Sequence, residues 1–314
     1  MRTRIAVLSV LVGVVAMVVG VAAAIAGKRS GASVSATDAS ITVLSSATDY
    51  SCGVATSTAS WRQATELSGL AAGRKNPRVL WTHNDSGDSE RVFAMNEHAQ
   101  LLGTYWISGH AQRDWEDISV GPGPASGTSY VYVGAIGANT PRNDVYVYRF
   151  PEPSVSLSQP ASTSVGLSRV AKLRMVYPNR EQNNAESLAI DPRTGDLYIV
   201  TKHSSGLEKI YVYPHSAQNP AIVYTLRLVK QIQFPSQATA ADFAPDGREF
   251  QVKGYTWGRI FQIPRGVTVR EALSTKAAAV PYSSGEAVTY KLDNSGYFEI
   301  SEGTSKPLMF FKRE

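Results

Sequence analysis

"DVYVY", residues 144–148, alternates valine with tyrosine, and the reading of this stretch decides the fold. Side chains on a strand point to opposite faces in turn, so an alternating run of β-branched and aromatic residues predicts a strand. The same pattern returns in "RVFAM" (91–95), "KIYVY" (209–213), "RIFQI" (259–263) and "PLMFF" (307–311). The second residues of the five stretches, Val92, Val145, Ile210, Ile260 and Leu308, are 53, 65, 50 and 48 residues apart, the length of one propeller blade.

Each of these stretches follows another strand-like run: "RVLWTH", "SYVYVG", "DLYIVTK", "EFQVKGY" or "YFEIS". Before each run comes a turn rich in Gly, Pro or Asn, such as "DPRTG" or "DNSG", and before the turn a short candidate inner strand. The inner candidates are "ELSGLA", "WEDISV", "AESLAI", "AADFAP" and "EAVTYK". A fourth run, such as "LLGTYWI", "AKLRMVY" or "VYTLRLV", leads into the next unit. Five units of four antiparallel strands predict an all-β fold, a five-bladed β-propeller over residues 39–314. The last unit runs out after three strands, so an N-terminal strand must close the ring, and "SITVLSS" (residues 40–46) is the expected donor. Closure removes the exposed edges that invite aggregation.

The leader opens with "MRTR" and continues without a charge from Ile5 to Ala26. Residues 1–26 therefore read as an export signal or an N-terminal membrane anchor, and residues 27–38 as a flexible Ser/Ala-rich linker. The apolar run is long enough to span a bilayer, whereas "AIAG" offers the small residues that a signal peptidase uses, so both outcomes stand. Either one places the propeller outside the cytoplasm, secreted or held to the membrane through residues 5–26. A single cysteine, Cys52, excludes an internal disulfide and is expected to be a small buried side chain. Net charge is +5 with no basic block, which leaves nucleic acid without a footprint.

Overlaid on their apolar residues, "EDISV", "ESLAI" and "EAVTY" put Glu116, Glu186 and Glu286 in one register. Inner strands line the channel, so the three glutamates are expected to converge at its mouth as metal ligands, with Glu66 on the same side as a candidate binding group. Asp242 is one residue out of register and should face the other way. Clustered carboxylates are hard oxygen ligands suited to Ca²⁺; capping of backbone N–H groups in neighbouring inner strands, or channel water, is the alternative. His83 and Asp85 in "WTHNDSGDSER", and Lys202 and His203 in "IVTKHSSG", end the second strands of units 1 and 3 and are candidate binding groups on the rim. The five tryptophans read as packing between blades. No G-x-S-x-G elbow, His-x-x-x-His pair, cysteine cluster or phosphate-cradling loop is present, which removes support for a serine triad or for zinc, haem or nucleotide sites.

From Glu66 onward, "ELSGLAAGRKNPRVLWTHNDSGD", "RDWEDISVGPG", "YVYVGAIGANTPRNDVYVYRFPEP" and "AESLAIDPRTGDLYIVTK" occur as a set. In these strings the chain resembles the secreted or membrane-anchored β-propeller proteins of actinobacteria and is distantly similar to phytase-type propellers. The resemblance implies architecture more than activity. It also implies aspartates where this chain carries Ala135 and Ala138, so any cation site those residues serve in the family is reduced here.

The function these features predict is a ligand-binding or protein-interaction module at the cell envelope. Its partner is a small molecule or an envelope protein, with a cation at the channel mouth. The alternative is a metal-dependent phosphoesterase, esterase or lactonase, in which Glu66 or His83 accepts the proton.

Overall fold

The computed structural model describes residues 50–109, 114–138 and 143–314. Five mostly antiparallel sheets carry the chain from Tyr50 to Glu314. Blade 1 runs Leu67–Ala72, Val79–Asn84, Arg91–Asn96 and Leu101–Trp106 from the inside outward. Blade 2 is Asp117–Pro122, Ser129–Ala135, Asp144–Pro151 and Ala171–Val176. Blade 3 is Ala185–Ile190, Leu197–Thr201, Leu207–Tyr213 and Arg227–Gln233. Blade 4 is Ala240–Phe243, Glu249–Gly254, Trp257–Gln262 and Ala278–Val280. Blade 5 is Ala287–Tyr290, Gly296–Ile300 and Lys306–Lys312, completed by Val54–Ala59.

Each inner strand packs against the inner strands of both neighbouring blades, which closes the ring into a five-bladed β-propeller. Five apolar clusters fill the five interfaces between blades. Trp81 and Trp115 are buried between blades 1 and 2, and Trp257 between blades 3 and 4. The tyrosines of "DVYVY" divide the work with their valines: Tyr146 and Tyr148 face blade 1, while Val145 and Val147 face blade 3.

The inner strands are also tied by side chains. Asp117 accepts the N–H groups of Ile118 and, one blade on, Leu188, both at 2.8 Å. Asp242 accepts those of Phe243 at 2.8 Å and Tyr290 at 2.9 Å, and Ser119 Oγ accepts Ile190 N–H at 3.2 Å. Thr289 Oγ1 accepts Ala72 N–H at 2.9 Å, and Ser68 Oγ donates to the Glu116 carbonyl at 2.8 Å. The capping role considered for the glutamates is thus filled by Asp117 and Asp242.

Three sequence expectations change. The closing strand is Val54–Ala59, paired with the third strand of blade 5 and extended by a Tyr50–Arg313 bridge. The proposed donor at residues 40–46 lies outside the described residues, as do the leader and linker. "VYTLRLV" is two strands: Val223–Thr225 leaves to pair in parallel with the outer strand of blade 2, and Arg227 begins the outer strand of blade 3. Leu226, 1% exposed, marks the break by anchoring in the interface of blades 2 and 3. Cys52 is exposed, because it lies in the entry segment ahead of the closing strand, outside the core. Among the described residues no helix is long and apolar enough to cross a membrane.

Candidate functional site

One end of the channel gathers carboxylates, because two kinds of position open there in every blade: the residue before the inner strand and the residue after the second strand. Glu66, Glu116 and Glu286 stand immediately before inner strands. Glu186 sits in the inner strand of blade 3 at a bulge between Ala185 and Ser187. Asp85, Lys202, Tyr255 and Glu302 each follow the second strand of their blade closely.

Burial first, and mutual repulsion after it, raise the carboxyls gathered here. Burial, then Asp85, Glu186 and Asp114, pushes Glu116 up to about 10. Glu186 rises to about 7 through burial, against the pull of Lys202 and with a push from Glu286 and Asp85. Asp85 rises to about 6, first by burial and then by Asp114, Glu286 and Glu66, although the Ser86 N–H works the other way. Glu302 rises to about 8 through burial and its hydrogen bond with the Glu286 carboxyl. Clustered like charges in a dry site produce this pattern. The positive answer comes from Lys202, which pairs with Glu186 and donates to Tyr255 Oη at 2.9 Å. Burial alone would lower the Lys202 ammonium, but Glu186 outweighs it and holds it raised. Tyr255 also donates to Glu286.

The tightest group is Asp85, Asp114 and Glu116, each offering a carboxylate oxygen within 4.8 Å of the others. Three elements assemble it. The Asp85 N–H bonds to the Glu66 carbonyl at 2.8 Å, fixing the blade 1 turn. Asp114 takes a left-handed backbone conformation (φ 56°), which aspartate tolerates. Glu116, 6% exposed, precedes the inner strand of blade 2. Gly137 makes room for the last two: a Cβ there would overlap Glu116 Oε1 and stand 2.6 Å from Asp114 Oδ2. Bare backbone at 137 and three convergent hard-oxygen donors fit a cation of Ca²⁺ type, which accepts irregular oxygen shells.

The expected residues divide accordingly. Glu66, Asp85, Glu116, Glu186, Glu286 and Lys202 come to one rim, but Glu186 and Glu286 are engaged by Lys202 and by Tyr255 with Glu302. Asp242 stays out of the rim, as its parity predicts, and bridges the inner strands of blades 4 and 5. His83 does not reach the rim. It is fully buried, edge-on to Trp115 with ring centroids 5.9 Å apart, and bonded through Nδ1 to the Asn84 carbonyl at 2.8 Å. Burial depresses its imidazole to about 4, which makes it a weak proton acceptor near neutral pH. His203 is exposed but turned onto its own hairpin, its Nδ1 2.7 Å from Ser205 Oγ and its N–H bonded to Glu208 at 2.9 Å.

Asp114 and Glu302 were not among the expected site residues. Glu302 holds the position in blade 5 that Asp85 holds in blade 1, a correspondence visible once the second strands are aligned. Ala138, one of the two alanines singled out by the resemblance, borders the group and donates its N–H to Asn184 Oδ1 at 2.8 Å. A cleft of about 480 Å³ adjoins the rim of blade 1, lined by Arg62, Glu66, Asp88 and Arg91 among others.

No protein-family model matches the chain, and no curated protein matches it in sequence. Among solved structures 766 chains match. One, from a crystal structure of a mitotic checkpoint complex, is 12% identical with a TM-score of 0.38, over 78% of this chain and 61% of that one. The chain therefore spans less than two thirds of that neighbour's length.

Proposed function

We propose that the protein is an extracytoplasmic binding propeller whose acidic channel mouth holds a hard divalent cation, Ca²⁺ by its ligand chemistry. The observation that carries this reading is the convergence of Asp85, Asp114 and Glu116 within 4.8 Å over the bare backbone of Gly137. These three residues would hold the ion, which would supply positive charge for an oxygen-bearing ligand, a small molecule or a group on an envelope protein, at the rim. Glu186 and Lys202 flank the position and would orient such a ligand by charge. The apolar leader from Ile5 to Ala26 supports export and, where retained, attachment to the membrane.

A thermal melt tests the cation directly, since an ion that binds only the folded state raises its stability by mass action. Millimolar Ca²⁺ should raise the Tm by several degrees over an EDTA-treated sample, and Glu116→Gln should remove the difference. Equal melting temperatures in Ca²⁺ and EDTA would rule the ion out.

One feature supports a hydrolytic reading instead. Glu186, at about 7, is suited to accept a proton from a metal-bound water near neutral pH. Turnover of a phosphoester, ester or lactone that needs the metal and vanishes in Glu186→Gln would favour hydrolysis over binding alone.

A further inference from the structure

The cleft of about 480 Å³ beside blade 1 lies outside the three carboxylates that would hold the ion, and one side chain fixes its walls. Asn84 is buried at the end of the second strand of blade 1. Its Oδ1 accepts the N–H groups of Thr65 and Glu66 at 3.3 and 3.2 Å, and its Nδ2 donates to the Gln63 carbonyl at 2.8 Å. These bonds staple the turn that carries Arg62 to the blade. The same amide donates to Asp88 Oδ2 at 2.8 Å and so sets a second wall.

Asp88 is committed to Arg91. Arg91 donates from Nε to Oδ2 at 3.0 Å and from Nη2 to Oδ1 at 2.6 Å, a side-on fork that leaves the Nη1 end of the guanidinium without a partner among the described residues. Aromatic rings hold the group in place: its central carbon stands 5.1 Å from the Phe93 ring centroid and 5.4 Å from that of Trp106, and Trp106 Nε1 donates to Ser164 Oγ at 2.9 Å. A guanidinium held in this way is ordered before any ligand arrives, so binding costs it little further freedom. Arg62, also in the lining, is exposed and forms no ion pair or hydrogen bond among the described residues. The cleft's other carboxylate, Glu66, pairs with neither arginine and acts instead on Asp85 and Glu302 at the channel mouth. The arginine side is thus left with uncompensated positive charge and open N–H donors, the arrangement that matches a phosphate or carboxylate group.

We propose that this cleft receives the anionic end of the ligand, a phosphate or carboxylate oxyanion gripped by Arg62 and the Nη1 end of Arg91. The assignment rests on the binding function for there being a ligand, gives that ligand a charge, and needs no ion.

Titration calorimetry of the full chain with inorganic phosphate and, separately, with succinate tests this in EDTA and about 150 mM NaCl, which screens diffuse surface charge. At least one of the two anions should bind saturably, one per chain, with a Kd of about 1 mM or tighter. The preferred anion tells a phosphoester ligand from a carboxylate. Arg62→Ala removes an exposed side chain with no partner in the fold and should weaken binding about tenfold, the size of one hydrogen bond to a charged group. Arg91→Lys keeps the charge but loses the fork, and should weaken binding as well with the melting transition still cooperative. Arg265→Ala, at an exposed arginine in the turn after the third strand of blade 4, should change nothing. No saturable binding of either anion, unchanged affinity in either of the cleft variants, or an equal loss in Arg265→Ala would each overturn the assignment. Because EDTA removes the ion, failure of the cation reading leaves this result standing, and failure here leaves the cation reading standing.

Discussion

Lys202, from the end of the second strand of blade 3, forms an ion pair with Glu186 of the same blade and places an ammonium beside the carboxylate group at the channel mouth. An ammonium at that distance competes with any bound cation by direct repulsion. Lys202→Met should therefore strengthen Ca²⁺ binding by about tenfold, the size of one unit charge acting across several ångströms at a protein surface. The same substitution should lower the Tm of the metal-free protein, because Glu186 loses its partner. Titration calorimetry and a melt in EDTA read the two effects separately.

Protonation of the rim gives stability a specific pH dependence. Asp85, Glu186, Glu302 and Glu116 rise to about 6, 7, 8 and 10 from 3.8 for aspartate and 4.5 for glutamate. Between those limits the folded state holds protons that the unfolded chain releases. Their contribution is complete below about pH 3.8 and is lost as pH rises through the folded values. His83 acts at the acid end: depressed from 6.5 to about 4, its contribution is complete above 6.5 and is lost as pH falls toward 4. The Tm of metal-free protein should fall from pH 7 to pH 10. Asp85→Asn combined with Glu116→Gln should flatten that slope, and Ca²⁺ should reverse it.

Gly137 is open to a direct steric test. A methyl group there meets Glu116 Oε1 and Asp114 Oδ2, so Gly137→Ala should separate the two carboxylates. Overpacking of this kind costs about 1–3 kcal/mol. Cation affinity should drop at least tenfold with the melting transition still cooperative; unchanged affinity would remove Gly137 from the site.

Asp117 should matter for stability and not for binding. Its carboxyl serves the Ile118 and Leu188 N–H groups, and burial raises its pKa despite both donors. Asp117→Ala leaves those donors unsatisfied, which costs about 1–3 kcal/mol for each lost acceptor. Asp117→Asn keeps an acceptor for one of the two N–H groups but sets its own NH2 against the other, so it should recover only part of that loss. Urea unfolding of the two variants measures the difference.

The propeller was legible because "DVYVY" and its four counterparts carry alternation strong enough to mark third strands, and their spacing repeats. The inner strands followed from their position before each hairpin. "VATSTA" (residues 54–59) does not announce itself as the closing strand, because a half-exposed outer strand made of Val, Ala, Thr and Ser has no aromatic alternation. In "VYTLRLV" the pattern continues across a change of sheet, so periodicity alone could not see the break at Leu226. At the site, the arrival of Glu116, Glu186 and Glu286 at one rim was readable, but the bulge that takes Glu186 into its strand and the partners of all three were not. Asp114 depends on a left-handed backbone, Glu302 on a loop in another blade, and the fit of both neighbours of Trp115 on the absence of a side chain at 137. His83 looked like a rim residue from its place at a strand end, yet its ring turns inward against Trp115, a choice made by packing between blades.

Equilibrium binding of Ca²⁺ to the full chain, compared with Asp85→Asn and Glu116→Gln, tests the account most directly. One ion per chain, with affinity reduced at least tenfold in each variant, is the predicted result. No saturable binding by the parent protein, or binding that both variants retain unchanged, would contradict it.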